Sequence, residues 1–515
     1  MAYIVRHESE TSTLFRALLG ILIGDTTSPI LWTLYLSDFK LLSDATTDIL
    51  LAGIFITNLE QADDVILISL TPDGAQRKMN ALWKWCSINF MIINAIKSLL
   101  MILGSISKGL PLFRFGNDAV TIVRTAKYVG FNLNSTKRNI FEDHYSKKAS
   151  KARAIAETLL SLESMVGVLP VWEARKLYMA LVDPHLTHGC EISLDVDPDL
   201  LKPLEDVQND FLRRILGLNK RSMTAPLFTE TGLVPLRFRR VTLALTHLKY
   251  LSTLKGHNRY VRVAVDDSVH NRYVRVAVDD SVQLSDEGKA SWAMDLRYVI
   301  HNLPFNIVLP PLSTITPQMV DAVIKSVNAG LRAYLQWSID DPNSPKLYLL
   351  RGRLEPEKDS APIQKELCFR HYLSVVNPKH RKALTRLLLS SHCLALERLR
   401  WVEHRRPRID RNLRLCRFCK AEIESPEHAL LQCTASADLV LLRDDFLARM
   451  NHDIKRLPAL NSMPALEFFT LMISYRHTVS LVAKYAFGVT EIFESTPMLI
   501  PALPLHWMIQ SQSTD

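Results

Sequence analysis

Three cysteines and a histidine within eighteen positions constrain this chain more than any other feature. The stretch "CRFCKAEIESPEHALLQC" places Cys416, Cys419, His428 and Cys433 in a Cys-x2-Cys-x8-His-x4-Cys spacing. Thiolates separated by two residues on a tight turn can both reach one ion. A histidine and a cysteine on a following short helix can then close the tetrahedron that Zn²⁺ prefers. Four protein ligands leave no position for water, so such a site is structural. The competing reading is a cluster of buried cysteines with no ion. The remaining cysteines, Cys86, Cys190, Cys368 and Cys393, are scattered singly. An odd total of seven with local clustering suggests a reducing compartment and a metal site, not a disulfide framework.

The cluster closes an arginine-rich approach. Arg398, Arg400, Arg405, Arg406, Arg408, Arg411, Arg414 and Arg417 face only Glu403 and Asp410 over the same stretch. A zinc-pinned basic patch suits contact with a phosphate backbone, with Arg405, Arg406, Arg408, Arg411 and Arg414 as candidate nucleic-acid contacts. A staple that serves folding alone is the other reading. Net charge over 515 residues is only +9, so position matters more than the total. A hydrophobic content of 48% is enough for real cores.

The N-terminus, "MAYIVRHESETSTLF", has no apolar run behind a basic start, and it is not a signal peptide. The most apolar window, "INFMIINAIKSLLMILGSI", is interrupted by Asn89, Asn94 and Lys97. No segment reaches the roughly 18 to 20 apolar residues of a membrane span. An intracellular protein, nuclear or cytoplasmic and neither secreted nor membrane-bound, is expected.

The first part of the chain alternates strand and helix signals. Ser28-Pro29 opens the periodic run "ILWTLYLSDF". "ILLAGIFIT" and "VILISL" read as two buried strands joined near Glu60 to Asp64. Thr71-Pro72-Asp73 opens a second helix with Ala75, Met79, Leu82 and Cys86 at helical spacing. "KYVGFNLN" is a further strand or hairpin. From about Tyr145 to Leu254 the pattern is helical, with basic charges that suit solvated faces or nucleic-acid contact. "HNRYVRVAVDDSV" then occurs twice in tandem without a mismatch. Two identical copies are too few for a solenoid and look like a recent duplication or a gene-model artefact. Proline-rich stretches from about 300 to 365 read as a loosely packed linker.

Asp63 and Asp64 stand directly before "VILISL". Two solvated turn acids and two metal ligands are both open on these residues alone. The order of fragments adds to this. "GILIGDTTSPILWTLYLSDF", "LEQADDVILIS", "INAIKSLLMILG" and "AKYVGFNL" together resemble motifs B, C, D and E of a reverse-transcriptase palm, of the non-LTR (LINE-like) retrotransposon kind. The resemblance continues through "VDPHLTHGCEI", "FLRRILGL" and "ETGLVPLRFRR", similar to that family's thumb, and the cysteine-histidine motif is similar to its C-terminal knuckle.

The resemblance implies an RNA-directed DNA polymerase using dNTPs, an RNA template and a DNA primer or target. Asp63 and Asp64 match the metal-binding turn, which would share two Mg²⁺ ions about 4 Å apart. Gly24, Ser28 and Pro29 match the loop and helix start that lie against template and nucleotide. Ile23 departs from the family's glutamine there. Lys97 matches the motif D lysine, a proton donor to pyrophosphate, with a solvated lysine as the alternative. The family's motif A aspartate and fingers have no counterpart before Gly20. This implies a chain truncated at its N-terminus and inactive as a polymerase. Asp48 is the nearest acid in sequence that could substitute.

The expected fold is α+β: a partial palm over 1–135, a helical thumb-like region over 143–256, and a linker or spacer over 257–375. An Arg-rich segment with the zinc motif follows over 376–440, and a helical tail over 441–515. A non-catalytic, nucleic-acid-binding remnant is the alternative function, and an unselected relic with no function is a third.

Overall fold

Thr71 begins the best-defined helix of the N-terminal part: its Oγ1 accepts a hydrogen bond from the Gly74 N–H at 3.1 Å, and Pro72 follows at a position that needs no donor. In the computed structural model this helix runs Pro72–Ile88 and buries Met79, Leu82 and Cys86 against Phe39, Phe113, Phe115 and Val120. Gly74 is required here, because a Cβ would stand 2.6 Å from the Cβ of Thr47. The structure describes residues 2–4, 6–7, 10–16, 26–51, 53–105, 109–253, 269–343, 345–357, 362–403, 406–454 and 457–501. The chain mixes helix and strand. It divides into two units, Met1–Phe141 with His257–Glu287, and Glu142–Gly256 with Gly288–Asp515.

The strands among the described residues lie in the first unit and pair two by two. One expectation is corrected. "ILLAGIFIT" is not a single strand paired with "VILISL". Gly53 takes φ +83° and folds the segment back on itself as Ile49–Leu51 against Ile54–Ile56. The partner of Asp64–Leu67 is instead the polar Asn58–Gln61, in antiparallel register Gln61↔Asp64 to Asn58↔Leu67. Ile68 N–H extends this pairing to Thr57 O at 3.1 Å. The strand Asn58–Gln61 is largely exposed, and Val65 and Leu67 pack at the edge of the core. "KYVGFNLN" is a hairpin, Thr125–Tyr128 with Phe131–Asn134, turning through Val129 and Gly130, both at positive φ as a two-residue hairpin turn demands.

The second unit is helical. Glu142–Ser161 packs on Pro198–Leu216, Leu236–Thr253 on Pro317–Asp340, and Val479–Glu494 on both Pro378–Leu388 and Ala437–Asp453. The proline-rich span is more ordered than a linker. Pro317 opens a helix whose residues Val320, Val323, Val327, Leu331 and Leu335 are buried, so this proline starts a packed element instead of marking a loose one. Buried ion pairs tie the unit together. Glu230 holds Arg353 at 2.5 Å and Arg370 at 3.3 Å, and Asp195 holds Arg240 at 2.7 Å. Within the tandem repeat, the second copy lies in the helix Val269–Asp286, while 257–268 of the first copy fall outside the described residues.

Candidate metal centre

A short antiparallel bridge, Leu415↔Ile423, closes a turn on which Cys416 and Cys419 stand. Cys416 N–H donates to Glu422 O at 2.7 Å and Lys420 N–H to Cys416 O at 2.9 Å, with Lys420 at φ +57°. The other two ligands stand at the ends of a wide turn. His428–Gln432 is a π-helical turn, closed by Cys433 N–H to His428 O at 2.8 Å. This extra residue per turn brings positions 428 and 433 to one side.

The ligand atoms of Cys416, Cys419, His428 and Cys433 lie within 4.8 Å of one another. Cys416 Sγ and Cys433 Sγ are 3.8 Å apart, and Cys419 Sγ is 3.4 Å from His428 Nε2. Tetrahedral Zn²⁺ with Zn–S near 2.3 Å and Zn–N near 2.0 Å requires roughly 3.8 Å between sulfurs and roughly 3.5 Å between sulfur and nitrogen. These two spacings match such an ion, and the cluster could hold a metal such as zinc. Burial pushes the Cys416 thiol up to about 12. Burial also acts to raise Cys419, but the backbone N–H groups of Ala421 and Glu422 outweigh it and hold that thiol below its ordinary value. Burial lowers His428, which favours the neutral imidazole that a metal takes. A doubly charged cation is what would make three thiolates tolerable at this depth.

The flanking arginines have divergent roles. Arg417 reaches Glu424 at 2.7 Å, donates to Thr496 O at 2.7 Å and also to Phe493 O, and so fastens the cysteine turn to the helix Val479–Glu494. Arg443 donates to Leu430 O at 2.9 Å and Cys433 O at 2.7 Å, holding the second ligand pair. Of the arginines expected to contact nucleic acid, Arg414 is buried and donates to Ile409 O and Leu396 O. Its role is structural, a correction to the sequence reading. Arg406 is occupied by Glu403 at 3.2 Å and Arg398 O at 3.1 Å. Arg408 and Arg411 are exposed, and Arg405 lies outside the described residues. A cavity of about 740 Å³ beside them is also lined by Arg221, Lys346, Arg400 and Trp401. Arg400 and Trp401 belong to the arginine-rich approach, whereas Arg221 and Lys346 come from separate segments and carry no local signal in the sequence.

Asp63 and Asp64 stand at the tip and first strand position of their hairpin, both exposed. Ala62, at φ +54°, accepts a hydrogen bond from Trp32 Nε1 at 2.8 Å, so the helix Ser28–Leu36 rests on the hairpin tip. Ser28 and Pro29 form the first turn of that helix. Gly24 lies outside the described residues. Lys97 is exposed in a turn after Asn94. Asp48 immediately precedes the strand Ile49–Leu51, which pairs with Ile54–Ile56. It is buried, with its Oδ1 2.5 Å from Lys78 Nζ and its Oδ2 accepting from Asp44 N–H. Among the described residues, no third His, Cys, Asp or Glu joins Asp63 and Asp64 in a metal-binding group.

No protein-family model matches the chain, and no curated protein matches it in sequence. No helix among the described residues is long and apolar enough to cross a membrane.

Proposed function

We propose that the chain is a relative of non-LTR retrotransposon reverse transcriptases whose working activity is nucleic-acid binding, not polymerisation. The four-ligand Cys/His cluster carries this reading. It fixes a small module among arginines, and Arg408 and Arg411 on its approach are exposed. A rigid, metal-pinned display of guanidinium groups is suited to phosphate contact. The partners would be an RNA template and a DNA primer or target, held through their backbones.

The polymerase reading is favoured by one observation, the Ala62-Asp63-Asp64 turn between antiparallel strands, contacted by the helix Ser28–Leu36 through Trp32. Two-metal phosphoryl transfer would use these carboxylates to hold Mg²⁺, and a dNTP would be the substrate. Against this, Asp48, the acid that could substitute for the missing ligand, is engaged by Lys78. Primer extension on an RNA template with Mg²⁺ separates the two. Our reading expects no incorporation. Incorporation by the native chain that disappears in Asp63→Ala would overturn it in favour of the polymerase.

A further inference from the structure

The cavity beside the metal centre is bounded by segments far apart in sequence, around Arg221, Lys346 and the run from Leu396 to Arg414. Six cationic side chains line it: Arg221, Lys346, Arg400, Arg408, Arg411 and Arg414. Among the described residues, the one carboxylate paired with any of them is Glu397, 3.6 Å from Lys346 Nζ and 3.4 Å from Arg400. Three of the six are thus committed, since Arg414 serves backbone carbonyls. Arg221, Arg408 and Arg411 are exposed, and none has an ion pair among the described residues. Arg400, Arg408, Arg411 and Arg414 line this same cavity, a crowding of like charge.

Such crowding is unfavourable unless an anion joins it, and an arginine fork suits a phosphate oxygen pair. The aromatic ring of the site is already engaged. Lys346 Nζ lies 3.9 Å and the Arg221 guanidinium 5.1 Å from the centre of Trp401, whose Nε1 donates to Glu397 at 3.1 Å. It braces cations and is not a bare platform for stacking a base.

We propose that this cavity binds the phosphate groups of a nucleic-acid strand, with Arg221, Arg408 and Arg411 as the donors and no reading of base identity. The inference rests on the nucleic-acid reading above and adds the place and chemistry of contact. It removes Arg406 and Arg414 from the contact set and brings in Arg221 from a turn far away in sequence.

The test is fluorescence anisotropy of the full, zinc-loaded chain with labelled single-stranded oligonucleotides, from about 50 to 200 mM salt, where such contacts are strongly screened. An Arg408→Gln/Arg411→Gln variant is expected to bind at least about tenfold more weakly, and the log–log salt slope should flatten by about 1.4 for two lost phosphate contacts. Arg449→Gln, outside the cavity, should leave both unchanged. Oligo(dA) and oligo(dT) should lose affinity alike, and inorganic tripolyphosphate should compete. If the native chain binds but the double variant keeps its affinity and slope, the cavity assignment is overturned while the nucleic-acid reading stands. If the native chain binds no oligonucleotide at low salt, both are overturned. Tripolyphosphate binding that needs Arg408 and Arg411, without oligonucleotide binding, overturns the nucleic-acid source and marks a small-polyphosphate site.

Discussion

Arg417 and Glu424 face each other within the cysteine turn, Nη2 to Oε1 at 2.7 Å, with both side chains buried. Glu424 also accepts from the Arg417 and Ala395 backbone N–H groups, so its carboxylate gathers three parts of the chain. An arginine that sits in a basic run, next to a metal ligand, is thereby a fastening and not a contact.

Breaking this pair from one side leaves a buried charge without its partner. Arg417→Met or Glu424→Gln should each lower stability by about 3–5 kcal/mol, and the double substitution should cost less than the sum of the two. Urea denaturation of the zinc-loaded chain measures this. Additive losses would mean that the two side chains do not act on each other.

The three N-terminal carboxylates should behave in opposite ways. Asp63→Asn and Asp64→Asn, at exposed positions, should each change stability by no more than about 0.5 kcal/mol. Lys78→Met strands the buried Asp48 carboxylate and should cost about 3–5 kcal/mol. Equal effects on thermal or urea unfolding would contradict the assignment of Asp48 to the core.

His392 should make the second unit acid-sensitive. It is buried, its Nδ1 has no hydrogen-bond partner among the described residues, and burial pushes its pKa down from 6.5 to about 3. The unfolded chain therefore binds the extra proton between these values. The stability this group preserves is complete above about pH 6.5 and falls with acid, by up to about 1.4 kcal/mol per pH unit. His392→Leu should flatten the fall in urea midpoint between about pH 6.5 and 4.5. An unchanged pH profile would show that His392 does not titrate on unfolding.

What the sequence disclosed was local. The four candidate metal ligands lie within eighteen positions, so their spacing alone points to them. The helix starts near Ser28-Pro29 and at Thr71-Pro72 are legible because a proline acts within the first turn; Thr71 also caps its helix, whereas Ser28 is itself helical and Thr27 takes the cap position. Arg408, Arg411, Arg414 and Arg417 look alike along the chain. They are sorted by which carbonyls and carboxylates arrive from elsewhere, Leu396 and Ile409 at Arg414, Phe493 and Thr496 at Arg417. The strand pairing failed for a related reason. Ala62 turns the hairpin at φ +54° without a glycine to signal it, and Gly53 within an apolar run was read through instead of as a fold-back. Pro317 looks like a linker residue in the sequence because the buried face of its helix is defined by a partner far away along the chain.

The most direct test of the account joins the metal to the binding. The purified chain should hold one equivalent of zinc and bind a single-stranded RNA with strongly salt-dependent affinity. Chelation, or Cys416→Ser, should release the metal and weaken binding by at least about tenfold, with zinc restoring it to the chelated native chain but not to the variant. RNA binding that keeps its full affinity and salt slope after the zinc is gone, or a chain that takes up no zinc, would contradict it.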